Sequence, residues 1–139
     1  MSKLISIIAS GFLLVSCRQE FQSEHTTMSL TETDEAGRVV RELSFELTDQ
    51  SAKTCLVGDW KVANALVDIS SYTHNPAYAW RDGDLEILLV NRFCDSYDSY
   101  IGRIEGESFV GEHVIYGRGS GPMIEGSTAG IVSGIYSER

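Results

Sequence analysis

The chain has 139 residues, with 20 acidic and 11 basic side chains and a formal net charge of −9. This length corresponds to one domain. The shortage of Lys and Arg excludes nucleic acid and anionic lipid headgroups as electrostatic partners, because phosphate binding needs concentrated positive charge. A basic protein is the partner that this charge favours, although acidity alone also keeps a domain soluble.

The first 16 residues have the three parts of an export signal. Lys3 supplies the positive charge, residues 4 to 15 form an apolar stretch, and the small Ser16 precedes the expected cleavage point. The stretch is shorter than the roughly 20 residues that a membrane-spanning helix needs. We therefore predict that residues 1 to 16 are a signal peptide that is removed.

The signal ends in Leu14-Val15-Ser16-Cys17, which resembles the lipobox of bacterial lipoproteins. In that family the cysteine thiol receives diacylglycerol, the chain is cut before it, and the freed amine is often acylated as well. The resemblance implies that Cys17 carries lipid such as palmitate, and two or three acyl chains hold a protein stably on a membrane. Arg18 stands where many inner-membrane members have Asp, which implies the outer membrane, facing the periplasm. An ordinary signal peptide and a soluble periplasmic protein are the alternative.

The segment after Cys17 is polar and rich in Ser, Thr and Glu as far as residue 37. Phe21, Met28 and Leu30 are too scattered to predict a buried face. We predict a flexible tether over residues 17 to 37, with a root-mean-square reach of about 25 Å. A single domain would then cover residues 38 to 139.

From residue 39 onward the apolar residues alternate with polar ones, which is typical of strands that bury one face. A second strand is expected to include Trp60, and a central strand has apolar residues on both faces. Asp82-Gly83 predicts a tight hairpin turn between residues 77 to 80 and the central strand. The apolar faces of the three strands, in chain order, are Leu43, Phe45 and Leu47; Leu56, Trp60 and Val62; and Leu85, Ile87, Leu89 and Phe93, with Leu88 and Val90 on the other face.

Glycines interrupt short β-prone pieces in the last third of the chain, including residues 108 to 116 and 128 to 136. Glycine permits the bends that curl a sheet into a barrel. Residues 63 to 69 fit either a short helix or continued strand. We predict an all-β fold, a small antiparallel barrel or sandwich of about seven or eight short strands.

Three cysteines divide between two roles. With Cys17 lipidated, Cys55 and Cys94 remain as a pair in an oxidising compartment, and we predict a disulfide between them. Zinc is the competing interpretation, but the two cysteines lack the close spacing of structural zinc sites, and His74 and His113 are distant in sequence. We expect no metal and no cofactor.

Gly58-Asp59-Trp60 is similar to the GxW signature that opens the barrel of lipocalins and other calycins. The resemblance covers three residues, and the rest of the calycin pattern is not evident. It implies a barrel that binds a small apolar ligand, with Trp60 lining the pocket. The other interpretation is that Trp60 is a core aromatic residue.

Residues 95 to 100 combine acidic and tyrosine side chains. Tyr97 and Tyr100 offer contact area and a hydroxyl at low entropic cost, and Asp95 and Asp98 would attract Arg or Lys. We predict a recognition loop here, with a plain solvated loop as the alternative. Paired carboxylates can also act as acid and base or bind Ca²⁺, but no calcium-loop pattern is present.

No acid, base, nucleophile and metal set converges in the sequence, so we expect no catalytic residues and no enzyme. The favoured hypothesis is a noncatalytic, lipid-anchored envelope lipoprotein that binds a protein, as an inhibitor or immunity factor against a basic, wall-active enzyme would. A calycin-like carrier of a small apolar ligand is the alternative, and an enzyme of unknown class comes third.

Overall fold

The computed structural model describes residues 26–67, 71–92, 94–117 and 124–138, and these ranges form a closed antiparallel barrel in which each strand pairs with the next. The signal peptide, Cys17 and Phe93 lie outside the described residues. The predicted all-β fold is confirmed, as a barrel and not a sandwich. Its strands are β1 Thr26–Thr33, β2 Val39–Ser51, β3 Lys61–Ala65, β4 Ala77–Arg81, β5 Asp84–Leu88, β6 Ser96–Glu105, β7 Ser108–Gly117 and β8 Ile124–Glu138.

Strand β1 closes the barrel, and the sequence-based domain boundary missed it. Met28 is paired with Phe45 of β2 on one side and with Tyr136 of β8 on the other. The predicted tether to residue 37 is therefore wrong for residues 26 to 33. Met28, Leu30 and Glu32 are all buried on one face. The sequence pattern did not reveal this strand because the third inward residue, Glu32, is charged and not apolar.

The barrel interior is filled by side chains, as expected for eight strands. The predicted inward faces of β2 and β5 are confirmed, since both are buried in one cluster. The prediction that β5 is a central strand is wrong, because every strand of a closed barrel has two neighbours. The members of this cluster from β2, β5 and the residue after β5 are Leu43, Phe45, Leu47, Leu85, Ile87 and Leu89.

Inward glycines let the strands of the barrel approach closely. A Cβ on Gly102 would lie 2.6 Å from the Cα of Gly111, and one on Gly134 would lie 2.1 Å from the carbonyl oxygen of Ser29. Both distances are far below van der Waals contact. The interior has no room for even one more methyl group at these positions, so the predicted close backbone approach at glycine is confirmed.

A second, smaller core lies on the outside of the barrel. Trp60 packs with Ala77, Ala79 and Leu88 on the outer face of β4 and β5, and Leu56 lies against them. The predicted second strand is corrected here, because β3 begins only at Lys61. Residues 52 to 60, between β2 and β3, lie over the outer face of the barrel, and we call them the covering segment. Strand β5 is apolar on both faces because Leu85 and Ile87 belong to the inner core and Leu88 belongs to this outer one.

Two local predictions have clear outcomes. The hairpin between β4 and β5 is confirmed, with Asp82 at φ 52° and Gly83 at φ 92°, the left-handed values that this turn requires. Residues 63 to 65 belong to β3, so a helix there is wrong. Ile69 lies outside the described residues.

The predicted disulfide is confirmed. Cys55 and Cys94 are bonded with a Cα–Cα distance of 5.3 Å and a sequence separation of 39 residues. Cys55 belongs to the covering segment between β2 and β3, and Cys94 precedes β6. The bond therefore fastens the outer layer to the barrel.

Replacing both cysteines, Cys55→Ser with Cys94→Ser, should lower the free energy of unfolding by about 2 to 4 kcal/mol, because the unfolded chain loses a long closed loop. Urea unfolding of the full chain measures this. A reductant should bring the wild-type protein down to the level of the double variant and leave the variant unchanged. Equal stability of the two proteins would contradict the prediction.

Candidate functional site

The structure separates the residues predicted to form a recognition loop. Strand β6 begins at Ser96, so only Asp95 precedes the strand, and a loop over residues 96 to 100 is wrong. Alternation along the strand then turns Tyr97 outward and Tyr100 inward. Tyr100 has no exposed surface and Trp60 is only 3% exposed, which removes both from direct contact with a partner.

Tyr97 and Asp98 retain part of their exposure, in different surroundings. The ring of Tyr97 stacks on that of Tyr116, with centroids 4.6 Å apart, on the outer surface of β6 and β7. Asp98 turns toward the barrel interior, where its Oδ2 lies 4.0 Å from Nε2 of His113. The cluster of four predicted residues is thus not one surface.

A buried carboxylate organises a polar network inside the barrel. Glu32 accepts a 2.7 Å hydrogen bond from the Tyr100 hydroxyl at Oε2, and Nδ1 of His113 lies 2.9 Å from Oε1. Arg41 brings its Nε to 2.9 Å from Oε2 as an ion pair, although this N–H is not directed well enough for a hydrogen bond. Burying a charge is costly unless it is paired, and Glu32 has three partners from three strands.

The surroundings of the network keep the Tyr100 phenol protonated and fix the positions of its ring and of the Glu32 carboxylate. Burial is the main cause that raises the pKa of Tyr100, and its hydrogen bond to Glu32 adds to it, so the phenol stays a donor. The Tyr100 and His113 rings meet edge to face at 5.3 Å. A Cβ at Gly130 would lie 2.8 Å from Glu32 Oε1, so only glycine leaves space for the carboxylate there.

Sequence reasoning missed Glu32 and Arg41 and treated His113 only as a remote zinc ligand. A usable signal existed at Glu32, which follows Met28 and Leu30 at the spacing of one strand face. The partners come from β2, β6 and β7, and only the barrel register brings them together. Among the residues that the structure describes, no group of three or more His, Cys, Asp or Glu side chains is placed to hold a metal ion.

The GxW segment does not line an internal pocket. Trp60 lies outside the barrel, where the guanidinium of Arg81 stands 5.1 Å from its ring centroid. Arg81 also donates to the carbonyl of Val57 and pairs with Glu86 at 3.3 Å. These contacts hold the covering segment against the barrel. Trp60 is therefore a core aromatic residue and does not line a ligand pocket.

An open groove of about 680 Å³ lies on the outer surface of β7, β8, β1 and β2. Four serines with short side chains line this groove, together with the backbone of Gly134, and we call them its floor: Ser29, Ser44, Ser108 and Ser133. Apolar side chains stand beside this floor, since Val110 is 56% exposed and Ile135 is 64% exposed. Val67 approaches from the segment after β3, and Glu42 adds an acidic group.

Exposed β-branched side chains lie next to a floor of serines on this surface. Isolated exposed apolar residues are ordinary, whereas several that line one groove make that groove a candidate interaction site. We name this surface the outer groove, defined by Val110, Ile135, Val67, Glu42 and the serine floor.

Comparison with known proteins adds no family. The chain matches no protein-family model, no curated protein and no solved structure. Within the described ranges, no helix is long and apolar enough to cross a membrane.

Replacing Glu32 by Ala should lower the free energy of unfolding by about 3 to 5 kcal/mol, because the buried Tyr100 hydroxyl and His113 Nδ1 would lose their acceptor and the partly exposed Arg41 its counter-charge. Glu42→Ala is the matched control: it removes an exposed carboxylate from the neighbouring strand and should change stability by no more than about 0.5 kcal/mol. Urea unfolding compares the two. Equal effects of the two substitutions would show that the interior network does not support the barrel.

Proposed function

We propose that this protein is a noncatalytic, lipid-anchored envelope lipoprotein whose barrel binds another protein through the outer groove. The outer groove is the observation that carries the binding role. The lipobox ending at Cys17 supports the anchor, and the outer membrane facing the periplasm is the location that Arg18 favours.

The interior of the barrel argues for a surface site. The fold is compatible with a calycin-like barrel, which would bind a small apolar ligand inside. Here the interior positions are occupied by large side chains such as Phe45, Tyr100 and Phe109, each with no exposed surface. A ligand would have to displace this packed core, so we place binding on the outside of the wall.

The partner that fits the outer groove is a basic protein. The chain carries a net charge of −9, and Glu42 lies within the groove. Complementary charge steers association and disfavours a second copy of the same acidic chain. An inhibitor or immunity factor acting on a basic, wall-active enzyme matches this chemistry, and lysozyme is a convenient first representative.

The start of β1 brings the barrel closer to the lipid than a tether ending at residue 37 would. Eight residues, 18 to 25, separate Cys17 from Thr26. A linker of that length would have a root-mean-square reach of about 16 Å, compared with about 25 Å for a tether that ends at residue 37. Thr26 is paired with Leu47 and Glu138. A lipid on Cys17 would therefore be tethered to the barrel end that holds these residues.

The variant Val110→Ser with Ile135→Lys should lose its partner, since it removes apolar contact area and adds a charge that repels a basic protein. Crosslinking in intact envelopes, followed by mass spectrometry of the captured proteins, compares it with wild type. Val57→Ser is the matched control, because Val57 is 92% exposed and lies on the covering segment, away from the groove. Unchanged capture by the groove variant would contradict the proposed site.

Lysozyme offers a direct test of the inhibitor subtype with the full chain solubilised in mild detergent. We expect inhibition by the wild-type chain and by Val57→Ser, and a loss of inhibition in the groove variant. No inhibition by the wild-type chain at micromolar concentration would remove lysozyme as the target class.

Replacing Cys17 by Ser should release the protein from membranes, because the acyl chains that would hold it have no thiol to attach to. Fractionation of envelopes and mass spectrometry of the mature chain measure this. Membrane association that persists in the variant would contradict lipid anchoring.

A further inference from the structure

One nitrogen of the buried histidine has no hydrogen-bond partner. His113 is 1% exposed, and its Nε2 is unsatisfied, whereas Nδ1 faces Glu32. A carboxylate can only accept, so Nδ1 carries the hydrogen of a neutral imidazole. Nε2 is then a bare acceptor in the neutral ring.

The group that Nε2 faces is also an acceptor. Asp98 Oδ2 lies 4.0 Å away, on a side chain that remains one-third exposed. Two acceptors without a hydrogen between them do not bond. A proton on Nε2 would supply the missing donor, and a movement of about 1 Å by the partly exposed Asp98 side chain would bring Oδ2 within hydrogen-bond distance. The ring would then donate to Glu32 from one nitrogen and to Asp98 from the other.

Charged and titratable groups face the ring from the strands packed against it. The facing groups are Glu32 from β1, Arg41 from β2 and both Asp98 and Tyr100 from β6, while β8 presents Gly130, which has no side chain. Tyr100 is neutral and Arg41 balances Glu32. An imidazolium would balance Asp98, so the protonated network carries no net charge.

We propose that His113 and Asp98 form a proton-operated latch that fastens the start of β6 to the barrel interior. When His113 is protonated, Nε2 donates to Asp98 and holds this part of the strand. As the pH rises and the proton leaves, the bond is lost and the Asp98 carboxylate turns to solvent. The segment that responds includes Tyr97, stacked on Tyr116, and lies just after the Cys55–Cys94 bond.

Imidazole is the side chain whose ordinary charge change falls between about pH 5 and 8, so the latch is tested across this range. Amide hydrogen exchange of the full chain in detergent, corrected for the intrinsic effect of pH, measures it. Protection of residues 97 to 99 should be about tenfold greater at about pH 5.5 than at about pH 8, the change expected of one charged hydrogen bond at a partly exposed site. Amides of residues 43 to 47 in β2 provide the internal reference and should not show this change.

Asp98→Asn is the decisive variant, because Asp98 is partly exposed and its loss leaves the Glu32 network in place. Its protection at residues 97 to 99 should be nearly independent of pH. His74→Gln, which removes an exposed histidine, should keep the wild-type response. The proposal would be overturned if Asp98→Asn kept the pH response or if the wild-type protein lacked it. Loss of the wild-type response on adding a metal chelator would also overturn it.

Nitrogen NMR of the His113 ring gives a second readout. Nδ1 should stay protonated throughout, and Nε2 should gain its hydrogen on acidification together with the rise in protection. A ring that keeps one tautomer and stays neutral down to about pH 5, or one that loses the hydrogen on Nδ1, would also overturn the latch.

Discussion

The closed barrel depends on the contacts that the buried Glu32 carboxylate makes with three other strands. Glu32 lies on β1, the strand that joins the two ends of the sheet, and its partners come from β2, β6 and β7. A shift of β1 by one residue would turn this charge outward and expose Met28 and Leu30, because side chains alternate along a strand. Leaving the partners without their carboxylate is costly, so the network specifies the register as well as the closure.

Closure with a filled interior decides where this protein can act. The inward glycines bring neighbouring strands close together, and the space that remains is occupied by aromatic and aliphatic side chains. At the described positions the interior is therefore packed, which supports the proposal of a binding site on the outside of the wall. The available chemistry of the barrel is on the wall, where short serine side chains beside exposed Val110 and Ile135 form the outer groove.

The covering segment gives the barrel a second layer on the opposite part of its wall. Trp60 is enclosed between the outer alanines of β4 and the guanidinium of Arg81, and the disulfide fastens the segment at Cys55. The pairing of β3 with β4 involves only Lys61 and Val62, opposite Tyr78 and Ala77. The covering segment therefore adds contacts next to the shortest pairing in the barrel.

The sequence by itself determined the all-β class, the inward faces of β2 and β5, the Asp82-Gly83 turn and the pairing of Cys55 with Cys94, because each depends on local period, turn chemistry or cysteine count. It also motivates the lipidation of Cys17, which stays a prediction. Only the tertiary structure decided that β1 belongs to the barrel, that Tyr100 and Trp60 are buried, and that Glu32, Arg41, Asp98 and His113 meet. Those residues are up to 81 positions apart, and strand register, which no local pattern encodes, places them side by side.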